Sequence, residues 1–258
     1  MAILSVKNLS IDYKASYGIV HAVKNVSFDI IKGESFAIAG RSGSGKSSVA
    51  SALMDLTSID GGRISSGGVF YKGRDLFKMT FEEKRKIRGK NISMVFQDPQ
   101  SYLNPVIRTG KQLSEAYKAH NPRACADEAR KKAAEALEKV HLEDPERILA
   151  SYPHQLSGGQ KQRILIAMAI MNEPEILIAD EPTTGLDAAV EKQILELIAK
   201  LKESMGLTLI MITHNMRIAR KYCAMMAVMH EGRIIETGKT ADIFANPQCG
   251  YTKLLIGG

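Results

Sequence analysis

The sequence has few cysteines and no long apolar run, and both absences narrow its possible functions. Its three cysteines, Cys125, Cys223 and Cys249, are far apart and form no C-x-x-C pair. They argue for a reducing compartment and against a zinc or iron–sulfur site. The longest apolar run, Ile164 to Met171, is far too short to span a bilayer. Residues 1–10 lack a basic segment followed by an apolar one, so we expect no signal peptide. At a membrane, such a protein would dock onto another protein.

Composition indicates an ordinary globular protein. The chain has 258 residues, 45% of them hydrophobic and 24% charged, which suits one α/β domain with an inserted lobe. The net charge is +7, and nucleic acid, nucleotide or an anionic membrane surface are possible reasons for it. The basic residues are spread along the chain, so we favour solvated faces as the explanation. No internal repeat and no low-complexity tail is present.

A glycine-rich segment matches the P-loop pattern G-x-x-x-x-G-K-[ST], and it reads Gly40-Arg41-Ser42-Gly43-Ser44-Gly45-Lys46-Ser47. The apolar run 35–39 before it is typical of a buried parallel strand, and the run Ser48 to Leu56 after it can open a helix. Glycines let the backbone turn tightly, so that N–H groups and a helix N-terminus face phosphate. Lys46 is expected to reach the β- and γ-phosphates, and the Ser47 hydroxyl to ligate Mg²⁺. The segment therefore predicts a nucleoside triphosphate site.

Hydrophobic patterning along the chain predicts an interrupted α/β domain. Residues 3–39 read as short strands, whereas 98–162 has few β-branched runs and reads as helices. Asn121-Pro122 within that stretch is a helix-start signal. Strands and helices alternate again afterwards, with Asp187 capping a helix that Gly206 closes. We predict a P-loop core with a mostly parallel sheet, an N-terminal antiparallel β subdomain and an inserted helical lobe.

Two further apolar strands end in polar residues. One ends in Asp180 and Glu181, and the other ends in Thr213 followed by His214. Ligands in parallel sheets sit at the carboxyl ends of the strands. We therefore expect Asp180 to hold the Mg²⁺ hydration shell and Glu181 to polarise the attacking water. His214 either reaches the same γ-phosphate or is structural, as lone histidines usually are.

The segment Leu156-Ser157-Gly158-Gly159-Gln160 precedes a helix predicted over Lys161 to Met171. Ser157 is a suitable N-cap, and the two glycines expose backbone N–H groups at the positive end of the helix. This makes a second anion site. Because the P-loop already cradles one set of phosphates, the second site is expected to contact a phosphate held by another molecule.

Together these motifs resemble an ABC-type ATPase subunit, in order and over almost the whole chain. The resemblance makes Gln97 the Q-loop glutamine, Asp187 part of the D-loop and His214 the switch histidine. It implies one ABC ATPase domain over 1–258, with a core of 1–97 and 163–258 and a helical lobe of 98–162. Tyr13, with Tyr17 as the alternative, would stack on adenine.

The resemblance implies ATP and Mg²⁺ as ligands and assigns a site. The residues expected to contact ATP are Tyr13, Gly40, Arg41, Ser42, Gly43, Ser44, Gly45, Lys46, Ser47, Ser48, Ser157, Gly158, Gly159, Gln160 and Asp187. The expected catalytic residues are Glu181, His214, Gln97 and Lys46, and the expected Mg²⁺ ligands are Ser47, Gln97 and Asp180.

A narrower resemblance is to the ATPases of peptide and nickel importers. It rests on 97–105, which reads Gln-Asp-Pro-Gln-Ser-Tyr-Leu-Asn-Pro, on Ser151-Tyr152-Pro153-His154-Gln155 and on Ala179-Asp180-Glu181-Pro182-Thr183-Thr184. Asn215, where the family more often has Asp, and Arg41, where many members are acidic, depart from it. These two departures leave the expected ATPase chemistry intact, but they leave the substrate class open.

The resemblance also implies partners. These are a second ABC ATPase subunit in a homo- or heterodimer, transmembrane permease subunits and, indirectly, an extracytoplasmic solute-binding protein, with no nucleic acid. The subunit would lie peripherally on the cytoplasmic face of the membrane. Tyr102 and Leu103 are expected to form an exposed anchor for a partner helix, unless both pack inside the lobe.

Two rival functions remain at this point. One is a soluble ABC-type ATPase of a lyase-associated or DNA-related complex, which only a co-purifying partner would distinguish. The other is a P-loop kinase or small GTPase. A GTPase would be expected to show the guanine-specificity motif N-K-x-D, which the sequence lacks, and a kinase would not explain the segment 156–160.

Overall fold

The computed structural model describes residues 2–16 and 18–257 and shows alternating strands and helices. Its strands are β1 (Ala2–Ala15), β2 (Gly18–Ile31), β3 (Ser35–Ala39), β4 (Gly62–Tyr71), β5 (Arg74–Asp75), β6 (Ile92–Val95), β7 (Ile176–Asp180), β8 (Thr208–Thr213), β9 (Met225–His230) and β10 (Arg233–Lys239). Its helices are α1 (Lys46–Leu53), α2 (Phe81–Ile87), α3 (Pro99–Tyr102), α4 (Thr109–Lys118), α5 (Ala126–Lys139), α6 (Pro145–Ala150), α7 (Gly158–Ile170), α8 (Ala188–Met205), α9 (Met216–Tyr222), α10 (Thr240–Ala245) and α11 (Gly250–Gly257). Within the described ranges, every helix is too short or too polar to serve as a membrane span.

The chain divides into two compact units, and the first comprises Met1–Lys84 with Thr208–Gly258. It contains an antiparallel sheet in the order β2-β1-β4-β5, which confirms the predicted N-terminal β subdomain. It also contains β3 between two parallel neighbours, β8 and β9, with β10 antiparallel to β9. All of β3 is buried, as expected for an apolar central strand. Because β3 ends at Ala39, the glycine-rich segment starts at the carboxyl edge of this sheet.

The second unit comprises Arg85–Leu207. Its strands β6 and β7 pair in parallel, and α3 to α7 lie between them in the chain. Helix α5 buries Ala129, Ala133 and Leu137, whose spacing places them on one face. The α/β class with mostly parallel pairing is thus confirmed. The helices of 98–162 fall inside this unit, and the predicted lobe boundaries at 97 and 163 stay predictions.

The helix start expected at Asn121-Pro122 is wrong. Helix α5 begins at Ala126, and Cys125 Sγ caps its first turn. Asn121 instead follows α4, where its side-chain amide donates to Tyr117 O at 3.0 Å and to Asn172 Oδ1 at 3.1 Å. The Asn-Pro pair is a local signal, and the contact with Asn172 is made across the fold.

Helix α8 has the two caps that the sequence predicts. Asp187 Oδ1 accepts hydrogen bonds from Ala189 N and Val190 N, both at 3.0 Å. Gly206 ends the helix with a left-handed backbone at φ 64° and ψ 31°. A side chain at that φ crowds its own backbone, so glycine is favoured there even though no neighbouring atom lies within 4 Å of an added Cβ.

We expect Gly206→Ala to lower the free energy of unfolding by about 1 kcal/mol, because the Cβ of alanine makes the left-handed conformation unfavourable. Urea unfolding followed by circular dichroism measures the change. Gly250→Ala is the matched control, since Gly250 lies in open space and lacks the left-handed φ. If both variants unfold at the same urea concentration, an alanine at position 206 adopts the left-handed conformation without a cost in stability.

Candidate functional site

The glycine-rich segment forms a tight loop between β3 and α1. Helix α1 begins at Lys46, with Gly45 as its N-cap at φ 99°, so strand, loop and helix follow in the predicted order. A Cβ on Gly45 would lie 2.3 Å from Ala22 O, and a Cβ on Gly40 would lie 2.3 Å from Met229 O. The surrounding backbone therefore excludes any side chain at these two positions.

The interior of the loop holds a lysine and a buried hydroxyl. Lys46 is only 4% exposed, and its Nζ donates to Gly40 O at 2.9 Å and to Arg41 O at 3.0 Å. Among the described residues, the buried Ser44 hydroxyl has no hydrogen-bond partner. A buried cation and an unsatisfied buried donor in a loop at a helix N-terminus fit a phosphate group.

The other predicted loop residues are accessible. Arg41, Ser42 and Ser47 are exposed, and Ser48 is half-buried at the start of α1. An exposed Ser47 is consistent with its predicted role as an oxygen ligand of Mg²⁺. In the part of the chain that the structure describes, no group of three or more His, Cys, Asp or Glu side chains could hold a metal.

The predicted switch histidine lies at the edge from which the loop starts. The register of β3 with β8 pairs Ala39 with Thr213, so Gly40 and His214 both follow at the same end of these strands. His214 is exposed. Asn215 caps α9, with its Oδ1 accepting from Arg217 N at 2.9 Å. Since Asn and Asp cap helices equally well, the departure at Asn215 has a structural explanation.

The predicted catalytic glutamate lies in the second unit, next to Gln97, the predicted Q-loop glutamine. Asp180 ends β7 and is 7% exposed, and Glu181 follows with an unusual positive φ of 44°. Glu181 Oε2 accepts from Gln97 Nε2 at 3.3 Å and from Thr184 Oγ1 at 3.2 Å. Because eight other described non-glycine residues also have a positive φ, the place of this hydrogen-bonded carboxylate at a strand end is the better support for a functional role. The structure thus brings together two residues that were predicted separately.

The segment around Ser157 forms a reciprocal cap on α7. Ser157 Oγ accepts from Gln160 N at 3.3 Å, and Gln160 Oε1 accepts from Ser157 N at 3.0 Å. The helix begins at Gly158, earlier than predicted. A Cβ on Gly159 would lie 2.8 Å from Val190 Cγ1, so this glycine also allows close packing against α8. The expected anion-binding role of the segment stays a prediction.

Tyr13 lies on β1, opposite Gly62 on β4. It is half-buried, and a Cβ on Gly62 would come within 2.9 Å of its ring, which therefore covers the glycine. The alternative, Tyr17, lies outside the described residues. Adenine stacking by Tyr13 stays a prediction.

Sequence reasoning missed two residues of the second unit. Thr184 donates a hydrogen bond to Glu181. The sequence feature that could have identified it is its position in the turn directly after that glutamate. Arg163 donates to Val140 O at 2.7 Å and to Gln193 Oε1 at 3.3 Å, which ties α7 to α8 and to the end of α5. Burial lowers the pKa of Arg163 below its ordinary value. Only the packing of three helices reveals its role.

Comparison with known proteins identifies similar chains over nearly the full length. The family model described as ABC transporter matches residues 23–184. The dipeptide transport ATP-binding protein DppD of Bacillus subtilis (strain 168) is 44% identical over 255 residues, covering 99% of this chain and 76% of that protein. The oligopeptide transport ATP-binding protein OppD of the same organism is 41% identical over 250 residues, covering 97% and 70%.

A solved structure with a similar fold is the dimeric post-hydrolysis state of the ATP-binding cassette MJ0796 bound to ADP and Pi. The TM-score is 0.79 and the sequence identity 32%, and the match covers 92% of this chain and 98% of that one.

We expect Lys46→Ala to weaken binding of ATP and of inorganic triphosphate by at least about tenfold, because it removes the buried cation from the loop. Isothermal titration measures both affinities. Lys192→Ala is the control, since that lysine is 68% exposed on α8. Equal affinities for Lys46→Ala and the unaltered chain would show that the loop does not bind phosphate.

Proposed function

This chain belongs to the ABC transporter family of ATP-binding proteins, and we propose that it is the ATP-hydrolysing subunit of a membrane importer for peptides. The observation that carries the proposal is a glycine loop closed around Lys46 in a chain 44% identical, over 99% of its length, to a dipeptide transport ATP-binding protein. Nickel import, the other substrate class suggested by the sequence, is consistent with the family and stays a prediction.

In this proposal the first unit holds the triphosphate. The loop backbone and Lys46 neutralise the β- and γ-phosphates, Tyr13 stacks on adenine, and His214 contacts the γ-phosphate from the neighbouring strand. Mg²⁺ would be held by Ser47, Gln97 and Asp180 together with the phosphates, and when bound it would neutralise charge on the transferring phosphoryl group. The exposure of Ser47 supports this assignment.

Hydrolysis is assigned to the carboxylate of Glu181. It orients the attacking water and accepts its proton while Gln97 and Thr184 hold its Oε2. These hydrogen bonds fix the direction of a side chain whose backbone is already constrained at φ 44°. Such positioning is the main contribution a protein can make to phosphoryl transfer.

A second ATPase subunit completes the proposed site. Two such chains, alike or different, would face each other head to tail, each ATP lying between one P-loop and the 157–160 segment and Asp187 of the other chain. ATP would stabilise the closed pair, and hydrolysis would reopen it. The dimeric state of the similar cassette, bound to ADP and Pi, supports the pairing of two such subunits.

We expect Glu181→Gln to leave ATP affinity within about twofold and to lower the hydrolysis rate by at least about a hundredfold, because the amide cannot accept a proton. Phosphate release and nucleotide titration measure the two quantities. The matched control is Glu173→Gln, an exposed glutamate that also has a positive φ. Hydrolysis at the unaltered rate in Glu181→Gln would move the catalytic role elsewhere.

The proposal also includes transmembrane permease subunits, a peripheral position on the cytoplasmic face and an indirect connection to an extracytoplasmic solute-binding protein.

Part of the expected partner anchor is wrong: Leu103 is only 2% exposed and packs in the core. Tyr102 is 51% exposed and stacks on Phe96 with ring centroids 4.0 Å apart, and Val106 nearby in sequence is 78% exposed. Tyr102 therefore stays a candidate anchor for a permease helix.

We expect Tyr102→Ala to keep the basal ATPase rate of the isolated subunit and to lose stimulation by the permease subunits. The melting temperature should fall by only about 2–4 °C, because the stack on Phe96 is lost. Co-purification with those subunits and ATPase assays with and without them measure this. Phe81→Ala, which removes a 72% exposed aromatic side chain of the other unit, is the control. Normal assembly and stimulation of Tyr102→Ala would exclude it from the interface.

A further inference from the structure

The back of the P-loop rests on two backbone carbonyls that belong to other elements. Ala22 O, on β2, lies 2.3 Å from the position that a Cβ of Gly45 would take, and Met229 O, on β9, lies 2.3 Å from that of Gly40. Both glycines are therefore in close contact with strands that are distant in sequence. The shape of the loop depends on where β2 and β9 are held.

A two-residue turn holds the loop and β2 together. Glu231 and Gly232, with φ angles of 46° and 80°, join β9 to β10 in the twist that favours a tight hairpin. Gly232 N donates to Ser44 O in the P-loop at 3.1 Å, and Gly232 O accepts from Lys24 N on β2 at 2.7 Å. A Cβ on Gly232 would lie 2.8 Å from Ala22 O. One residue thus bonds directly to both the loop and the strand behind it.

The same hairpin carries helix α11. The His230 ring, directly before the turn, stacks on Tyr251 of α11 with centroids 3.8 Å apart and planes at 26°. Farther along the hairpin, the Glu236 carboxylate accepts from Gln248 N at 2.9 Å and from Cys249 N at 3.3 Å. Burial alone would raise the pKa of Glu236, but hydrogen bonds more than offset it and the pKa is lowered. An ionised carboxylate therefore holds the segment leading into α11.

We infer that α11 and the β9–β10 hairpin position the P-loop, with Tyr251, His230 and Gly232 acting as positioning residues for triphosphate binding. The connection runs from Tyr251 to His230, through the turn to Gly232, and by one hydrogen bond to Ser44. None of these three residues needs to touch ATP. The inference rests on the proposed function, since it concerns how tightly the loop binds phosphate.

The test uses the full chain and measures dissociation constants for ATP and inorganic triphosphate, together with kcat and KM. Tyr251→Ala should raise both dissociation constants and KM by a common factor of about threefold to tenfold, the range expected for losing an aromatic stack. The factor should be common because the loop contacts phosphate and not the base. The kcat at saturating ATP should stay within about twofold.

Three further variants exclude a general loss of structure. Tyr251→Phe keeps the ring and should restore affinity, and Leu254→Ala, which truncates a 59% exposed side chain on the same helix, should leave it unchanged. His230→Ala should weaken binding as much as Tyr251→Ala, and the double variant should be no weaker than either, as expected for two residues that act through one contact.

Unchanged affinities in both Tyr251→Ala and His230→Ala would overturn the inference, as would a double variant whose effects simply add. If Tyr251→Ala does not fold, His230→Ala with Gly232→Ala decides the matter, because an added Cβ at Gly232 displaces the turn directly. Lys46→Ala distinguishes a failure of the inference from a failure of the proposed function. If Lys46→Ala also leaves phosphate binding unchanged, the proposed function fails. If Lys46→Ala abolishes binding while the Tyr251 and His230 variants bind normally, only the inference fails.

Discussion

The main constraint on the site is the burial of the Lys46 ammonium group inside the backbone of the P-loop. A lysine that is 4% exposed is costly unless its charge is compensated, and the carbonyls of Gly40 and Arg41 supply part of that compensation. Because these oxygens must come within hydrogen-bonding distance of the ammonium group, the loop has to be narrow. Backbone carbonyls of two strands outside the loop, those of Met229 and Ala22, leave no room for a side chain at Gly40 or Gly45. A phosphate brings the opposite charge into the same space, so the loop is preorganised for an anion.

The elements that could be predicted from sequence are those whose signals are local. The P-loop follows from glycine spacing between an apolar strand and a helix, and the ends of α8 follow from Asp187 and Gly206, each next to the backbone it caps. The start of α5 could not be predicted, because Asn121 is drawn to Asn172 on another segment. The burial of Leu103 depends in the same way on helices packed around it.

In the candidate site, residue identity could be predicted and hydrogen bonding could not. Glu181 and Gln97 are separated by 84 positions, and no periodicity links them, although each belongs to a recognisable motif. Arg163 went unnoticed because its partners, Val140 and Gln193, are brought near by folding, whereas Thr184 had a local signal, its position three residues after Glu181. Gly159 had a predicted role in exposing N–H groups, yet its contact with Val190 shows a packing requirement as well. A motif therefore identifies chemistry more completely than it identifies contacts.

The attachment of α11 to the hairpin has a practical consequence for anyone handling the protein. A purification tag, fluorescent reporter or surface linkage fused beyond α11 would pull on a helix that stacks on His230, two residues before the Gly232 that bonds to Ser44. Mechanical load or crowding there would be transmitted to the P-loop. Fusions ahead of β1 join the chain at a strand that lies between β2 and β4, so under this inference the kinetic constants from the two tag placements would differ for reasons unrelated to purity.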